Sequence, residues 1–124
     1  MSLRHMLKSV CLSLALCACA VQQSPTVISF VPAGDSVERT LASVLEIKLN
    51  TGYHRTLKPG SYWRQIGSVP QGAVYKPCLD VFTIEGAHIH EAYLVVESGM
   101  LVGFYLPAER SYVNLDQRKP ILFN

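Results

Sequence analysis

From Leu45 onward the side chains alternate in character every second residue. Leu45, Ile47 and Leu49 alternate with Glu46, Lys48 and Asn50, and beyond Asn50-Thr51-Gly52 the residues Tyr53, Arg55 and Leu57 alternate with His54 and Thr56. Successive strand side chains point to opposite faces, so a period of two fits a strand and not a helix. Two such runs joined by a short Gly-containing turn form a hairpin. The pattern continues along the chain. Lys58-Pro59-Gly60-Ser61 is a second turn, and Tyr62–Ile66 and Ala73–Tyr75 read as strands joined through Val69-Pro70-Gln71-Gly72. Leu79–Ile84 alternates again, and Glu91–Val96 and Met100–Leu106 flank Ser98-Gly99 as the clearest hairpin. Leu94-Val95-Val96 is apolar without alternation, as in a strand covered on both faces. Gly103 inside its strand predicts a bulge or a close approach by another group.

The region before Leu45 is less uniform. Thr26–Val31 is rich in β-branched residues, stops at Pro32 and predicts a first strand. Asp35 followed by Glu38 has the spacing of a capping box, and Val37, Leu41, Val44 and Leu45 fall on one helical face, which predicts a short helix over 36–44. After Pro107 the β signal is weak until Pro120-Ile121-Leu122-Phe123, a candidate last short strand. Turn signals recurring about every 8–12 residues between short strands indicate a mainly β fold, a small antiparallel β-barrel or sandwich built from hairpins. With 124 residues the chain makes one domain. Hydrophobic residues at 49% and charged residues at 16% exclude disorder for most of it.

The first twenty residues, MSLRHMLKSVCLSLALCACA, stand apart. Arg4 and Lys8 form a positive start, Ser9–Leu16 is a short apolar run, and small residues follow, which is the order of a secretory signal peptide. A membrane span needs about 20 apolar residues, and Lys8, Ser9 and Ser13 cut this run to roughly half that. Leu16-Cys17-Ala18-Cys19 resembles the lipobox of bacterial lipoproteins, with an aliphatic residue three before the modified cysteine and a small one directly before it. The resemblance covers the first fifth of the chain. It implies a signal peptide over 1–18, cleavage before Cys19, diacylglycerol on the Cys19 sulfur and an acyl group (palmitate in type) on its amine. Ala20 after Cys19 implies sorting to a Gram-negative outer membrane, facing the periplasm. Residues 19–25 would be anchor and tether and 26–124 the folded domain. The six tether residues Ala20–Pro25 reach at most about 20 Å, which would hold the domain close to the bilayer. Ala18-Cys19-Ala20 also satisfies the small-x-small rule of ordinary signal peptidase, and cleavage after Ala20 would release an unlipidated secreted protein.

Charge and cysteine content narrow the function. The chain carries 11 Lys and Arg against 9 Asp and Glu, but Arg4 and Lys8 belong to the signal, so nine basic residues balance nine acidic ones in the remainder. No run of three Lys or Arg occurs, so a nucleic-acid partner is not expected. Of the four cysteines, Cys11 and Cys17 lie in the signal and Cys19 is the lipid site, leaving Cys78 with no partner within the chain. Cys78 is then a small buried or half-buried residue, a link in a disulfide dimer, or a thiol with no base near it in sequence.

His88-Ile89-His90-Glu91 is the stretch that suggests chemistry. Two histidines two apart on a strand share a face, half of a site for Zn²⁺ or Cu²⁺, with His54, Cys78 or Glu85 as further ligands if the fold supplies them. The same pair on a solvent-facing strand needs no metal, and His can also sense pH. Glu85 and Glu91 have no established acid/base spacing, and no nucleophile elbow, phosphate loop or metalloprotease helix occurs. Tyr62-Trp63-Arg64 is a candidate partner surface, because these three residue types are enriched at binding hot spots. The expected protein is therefore a membrane-anchored envelope lipoprotein whose non-catalytic β domain binds a protein partner as an assembly factor or accessory subunit. A Zn or Cu protein using His88 and His90, or a secreted binding protein, is the alternative.

Overall fold

The computed structural model describes residues 20–124. The signal segment, the lipobox and Cys19 lie outside the described residues. Within them the chain is entirely β, a curled antiparallel half-barrel with two small sheets against it. Its strands are β1 (Gln23–Pro25), β2 (Ser29–Phe30), β3 (Glu38–Thr40), β4 (Leu45–Lys48), β5 (His54–Leu57), β6 (Tyr62–Val69), β7 (Gly72–Pro77), β8 (Thr83–Glu85), β9 (Ile89–Glu91), β10 (Tyr93–Glu97), β11 (Met100–Leu106) and β12 (Ser111–Pro120). The large sheet runs in the order β1-β12-β11-β10-β7-β6-β2, with β3 also on β6, while β4-β5 and β8-β9 are separate hairpins. Both edges of the large sheet are short strands, which limits edge-to-edge association.

The predicted hairpins form in register. Leu45 faces Leu57 and Lys48 faces His54, with Gly52 at φ +88° in the turn. The β10–β11 turn uses Ser98 and Gly99, both at positive φ, as a two-residue hairpin requires. Gly103 has both predicted features. The β11–β12 register shifts between Leu101 and Gly103, and the hydroxyl of Tyr112 fills the space a Gly103 side chain would need. That hydroxyl donates to the Val102 carbonyl at 2.9 Å.

Three expectations are corrected. No helix forms over 36–44. Glu38–Thr40 is a strand against Tyr62–Arg64, and Leu41 bridges Phe123, because pairing with a free sheet edge offers more hydrogen bonds than one isolated helical turn. The tail after Pro107 is not irregular, since Ser111–Pro120 is the longest strand. Gly103 faces Asn114 and Leu101 faces Lys119, so residues 115–118 bulge between the paired ends. The bulge places Leu115 in the core and Asp116 on the side-chain amide of Asn50. The expected tether is part of the fold: Gln23–Pro25 pair with Ser111–Val113, and Val21 is buried in the main core.

The sheet is apolar on both faces. One face carries Trp63, Tyr75, Leu94, Leu101 and Phe104, covered by Leu45, Ile47 and Leu57 of the β4–β5 hairpin and by Phe82 and Ile84 around β8. Phe82 is central: its ring meets Trp63 edge-on at 5.8 Å and Phe104 at 5.9 Å, with Arg55 Cζ 4.8 Å from its centroid. The other face carries Val74, Tyr93, Val95, Val102, Tyr105 and Tyr112. Leu94 and Val95 face opposite sides and both are fully buried, as the unbroken apolar run predicted.

Candidate functional site

The second face is only partly covered. The segment Thr26–Ser36 crosses it, held at Thr26 by a hydrogen bond to the Arg110 carbonyl and at Val31 by one to Ile66. Between this segment and the sheet lies an open groove of about 750 Å³, in the size range of small-molecule sites. Tyr93, Tyr105 and Ile66 form its floor, Val27, Ile28, Phe30 and Val31 line its wall, and Arg64, Lys76 and Arg110 are its charged residues. Val27 and Phe30 are 80% and 71% exposed, high values for apolar side chains beside an apolar floor.

Strand register sets the two floor tyrosines in a cross-strand row that starts outside the groove at Tyr112. Tyr112 faces Tyr105, and Tyr105 faces Tyr93, their rings 6.2 Å apart. Lys76 follows on β7, its Nζ 5.8 Å from the Tyr93 ring centroid. Arg64 faces Lys76, and Glu38 faces Arg64 with its carboxylate 2.7 Å from the guanidinium. The row therefore runs from three tyrosines to two adjacent cations. Burial, then the negative charge of Glu91 and the hydrogen bond to it, hold the Tyr93 phenol above its ordinary pKa. Tyr93 is thus a neutral hydroxyl near pH 7 and not a base. The described lining residues include no carboxylate, imidazole or thiol. The groove can present fixed cations, hydroxyls and apolar surface.

Comparison of the chain with protein-family models, with curated proteins and with solved structures finds no match in any of the three.

The residues singled out in the sequence fall in different places. Tyr62-Trp63-Arg64 does not form one surface. Trp63 is 2% exposed, with Nε1 donating to Ser61 Oγ at 3.0 Å, and belongs to the core. Tyr62 is exposed beside a second, smaller groove with Leu79 and Val81, and Arg64 lines the first groove. His88 lies in the bend between β8 and β9 rather than in a strand, and its ring stands perpendicular to that of His90 at 6.4 Å. His90 Nδ1 is 3.0 Å from a Glu109 carboxylate oxygen, tying the β8–β9 hairpin to the turn before β12. Among the described residues no group of three His, Cys, Asp or Glu is gathered as a metal site. Cys78 is half-buried and free, and its backbone N–H donates to the Tyr62 carbonyl.

Sequence reasoning missed Lys76, Tyr93, Tyr105 and Arg110 as a set. The Ser98-Gly99 hairpin alone would set Tyr93 opposite Phe104, and the bulge between Val95 and Val96 is what brings Tyr93 opposite Tyr105. The meeting of that hairpin with β7 is a long-range pairing that local sequence does not encode.

Proposed function

We propose that this chain is an envelope lipoprotein, anchored through Cys19 at a Gram-negative outer membrane, whose β domain works by binding rather than by catalysis. The lipobox-like Leu16-Cys17-Ala18-Cys19 supports the anchor. The observation that carries the binding reading is the open groove, with apolar wall residues left exposed above an aromatic and cationic floor. Exposed apolar surface rimmed by polar groups marks interaction sites. The burial of Val21 supports a position flush with the bilayer, since only Ala20 separates Cys19 from the core. In this reading the groove serves an assembly or accessory role for an envelope complex from the membrane surface.

The test is photo-crosslinking in living cells, with a benzophenone side chain replacing Phe30 in the full chain. The expected result is a discrete adduct that disappears when Ile66→Trp fills the groove floor. No adduct from Phe30 or Val27, or an adduct indifferent to Ile66→Trp, would overturn groove binding.

A further inference from the structure

We propose that the groove binds a single-chain anionic amphiphile, an alkyl chain ending in a carboxylate, as in a fatty acid. This rests on the reading of the groove as a binding site and adds the chemistry of its occupant.

Three observations converge on an anionic head. Arg64 and Lys76 are direct cross-strand partners on the groove face. Like charges in that relation destabilise a sheet, so the pair is a local cost. Glu38 relieves Arg64, whereas Lys76 makes no ion pair among the described residues and has only the Tyr93 ring beside it. The third cation, Arg110, has φ +50° at the last position of the β11–β12 turn. Glycine or asparagine suits that conformation better, so a long cationic side chain is placed there against local preference. Of the three lining cations Arg64 is paired with Glu38, and Glu91 accepts from the Tyr93 hydroxyl at 3.5 Å, so the charge open to an anion is that of Lys76 and Arg110, neither of which makes an ion pair among the described residues.

The rest of the lining calls for an alkyl body. Val27, Ile28, Phe30 and Val31 face Ile66 and the tyrosine faces across the groove, and they offer apolar contact with few hydrogen-bonding groups. An acidic peptide would also meet the cations and would find the free edge of β2 to pair with, so its competition against the amphiphile decides between the two occupants. The groove's size, about 750 Å³, suits one chain lying along the tyrosine row with its head at Lys76. Each further methylene buried would tighten binding about fourfold.

The experiment uses the protein expressed as the full chain, extracted from membranes and reconstituted into neutral phosphatidylcholine vesicles. It is labelled with a diazirine analogue of palmitate, and the adduct is mapped by peptide mass spectrometry. Labelling is expected on the peptides carrying Phe30, Ile66 and Tyr105. Palmitate should compete at least tenfold better than its neutral glycerol ester. Labelling should fall at least fivefold in the double variant Lys76→Glu with Arg110→Glu, and not in Lys48→Glu, with no melting temperature below that of the parent protein. Phe30→Asp provides a second, independent loss on the wall. Labelling scattered over the surface, equal competition by the neutral ester, insensitivity to both variants, or stronger competition by an acidic peptide would each overturn the proposal. If the palmitate probe fails while benzophenone at Phe30 still captures a groove-dependent adduct, the amphiphile is wrong and groove binding stands. If both fail, both readings fall.

Discussion

Lys76 and Tyr93 stand side by side on neighbouring strands, the ammonium 5.8 Å from the ring centroid, with Arg64 directly opposite Lys76 on the far side. A cation over an aromatic face is stabilised by about 0.5–1 kcal/mol at an exposed site. A like charge directly across the ladder opposes this by a similar amount, about 0.2–1 kcal/mol. The ring therefore offsets the cost of keeping two cations adjacent. A sheet selected for stability alone would place a threonine or a glutamate at Lys76.

That balance is measurable. In a double-mutant cycle of Arg64→Ala and Lys76→Ala, the double variant should lose about 0.2–1 kcal/mol more than the sum of the singles, because each single already relieves the repulsion. The coupling should vanish in 1 M salt, where the screening length is about 3 Å. Urea unfolding at low and high salt gives both values. A coupling of opposite sign would mean that the two side chains do not repel in solution.

Gly103 is the position where the second face is most tightly closed. A Cβ there would meet the Val113 carbonyl and lie 2.5 Å from the Tyr112 hydroxyl. Gly103→Ala must shift the β12 backbone at the Val113 carbonyl as well as displace the Tyr112 ring and break its hydrogen bond to Val102, for a loss of at least about 1–3 kcal/mol. In a domain of this size each kcal/mol lowers the melting temperature by about 4–8 °C. Gly52 has open space around it but φ +88°, so Gly52→Ala should show only the smaller backbone cost, about 1 kcal/mol. Calorimetry on the two variants separates steric from conformational effects. Equal losses would show that both the Val113 carbonyl and the Tyr112 ring yield freely.

The same face should set the alkaline limit of stability. Burial is the main cause raising the phenols of Tyr93 and Tyr112, joined for Tyr93 by Glu91 and opposed for Tyr112 by Arg118. A phenol raised in the folded state is held neutral there, so its contribution is complete below the unfolded value of about 10 and is lost as pH rises through the folded value. Melting temperature should therefore be level near pH 8–9 and fall above about pH 10. Tyr93→Phe should flatten part of that fall at little cost at neutral pH, since its bond to Glu91 is long at 3.5 Å. Tyr112→Phe should flatten it too, but start lower by about 1 kcal/mol for the lost hydrogen bond. An alkaline fall identical in all three proteins would place its origin in other groups.

What was legible in the sequence follows the range of the interaction. The Leu45–Leu57 and Ser98-Gly99 hairpins were readable because alternation and turn chemistry are local, but the shift of register between Val95 and Val96 in the second was not. The bulge at Gly103 was readable because a glycine inside an apolar strand has few other uses. Glu38–Thr40 was not, because its capping-box spacing is a local helix signal and the competing edge of β6 lies more than twenty residues away. Residues 111–120 were not, because Asp116, Gln117, Arg118 and Lys119 have low strand propensity, and the first three are carried in a bulge between two paired ends. Of the groove, Arg64 was singled out for its residue type alone. Its partnership with Lys76 and the tyrosine row depends on five strands meeting in register. Trp63 shows the reverse error, a binding-type residue used in the core.

The junction of anchor and fold gives the last prediction. Val21 packs in the main core and Gln23–Pro25 are paired to β12, so under the proposed anchoring only Ala20 separates the lipid site from the core. The intact mass of the membrane-extracted protein should correspond to a polypeptide starting at Cys19 with a triacyl increment. Val21→Asp should lower stability by at least about 1–3 kcal/mol, because a carboxylate would replace a buried methyl pair with no cation provided for it. Inserting Gly-Ser between Ala20 and Val21 should leave the melting temperature unchanged and lengthen the reach from the bilayer, since the insertion precedes the first buried side chain. A domain that works at the membrane surface through short reach should lose its cellular crosslink at Phe30 as that spacer is extended. A crosslink indifferent to spacer length would show that the groove's occupant is free in the periplasm. A mass starting at Val21 without lipid would replace the anchored protein with a secreted one whose first residue belongs to its own core.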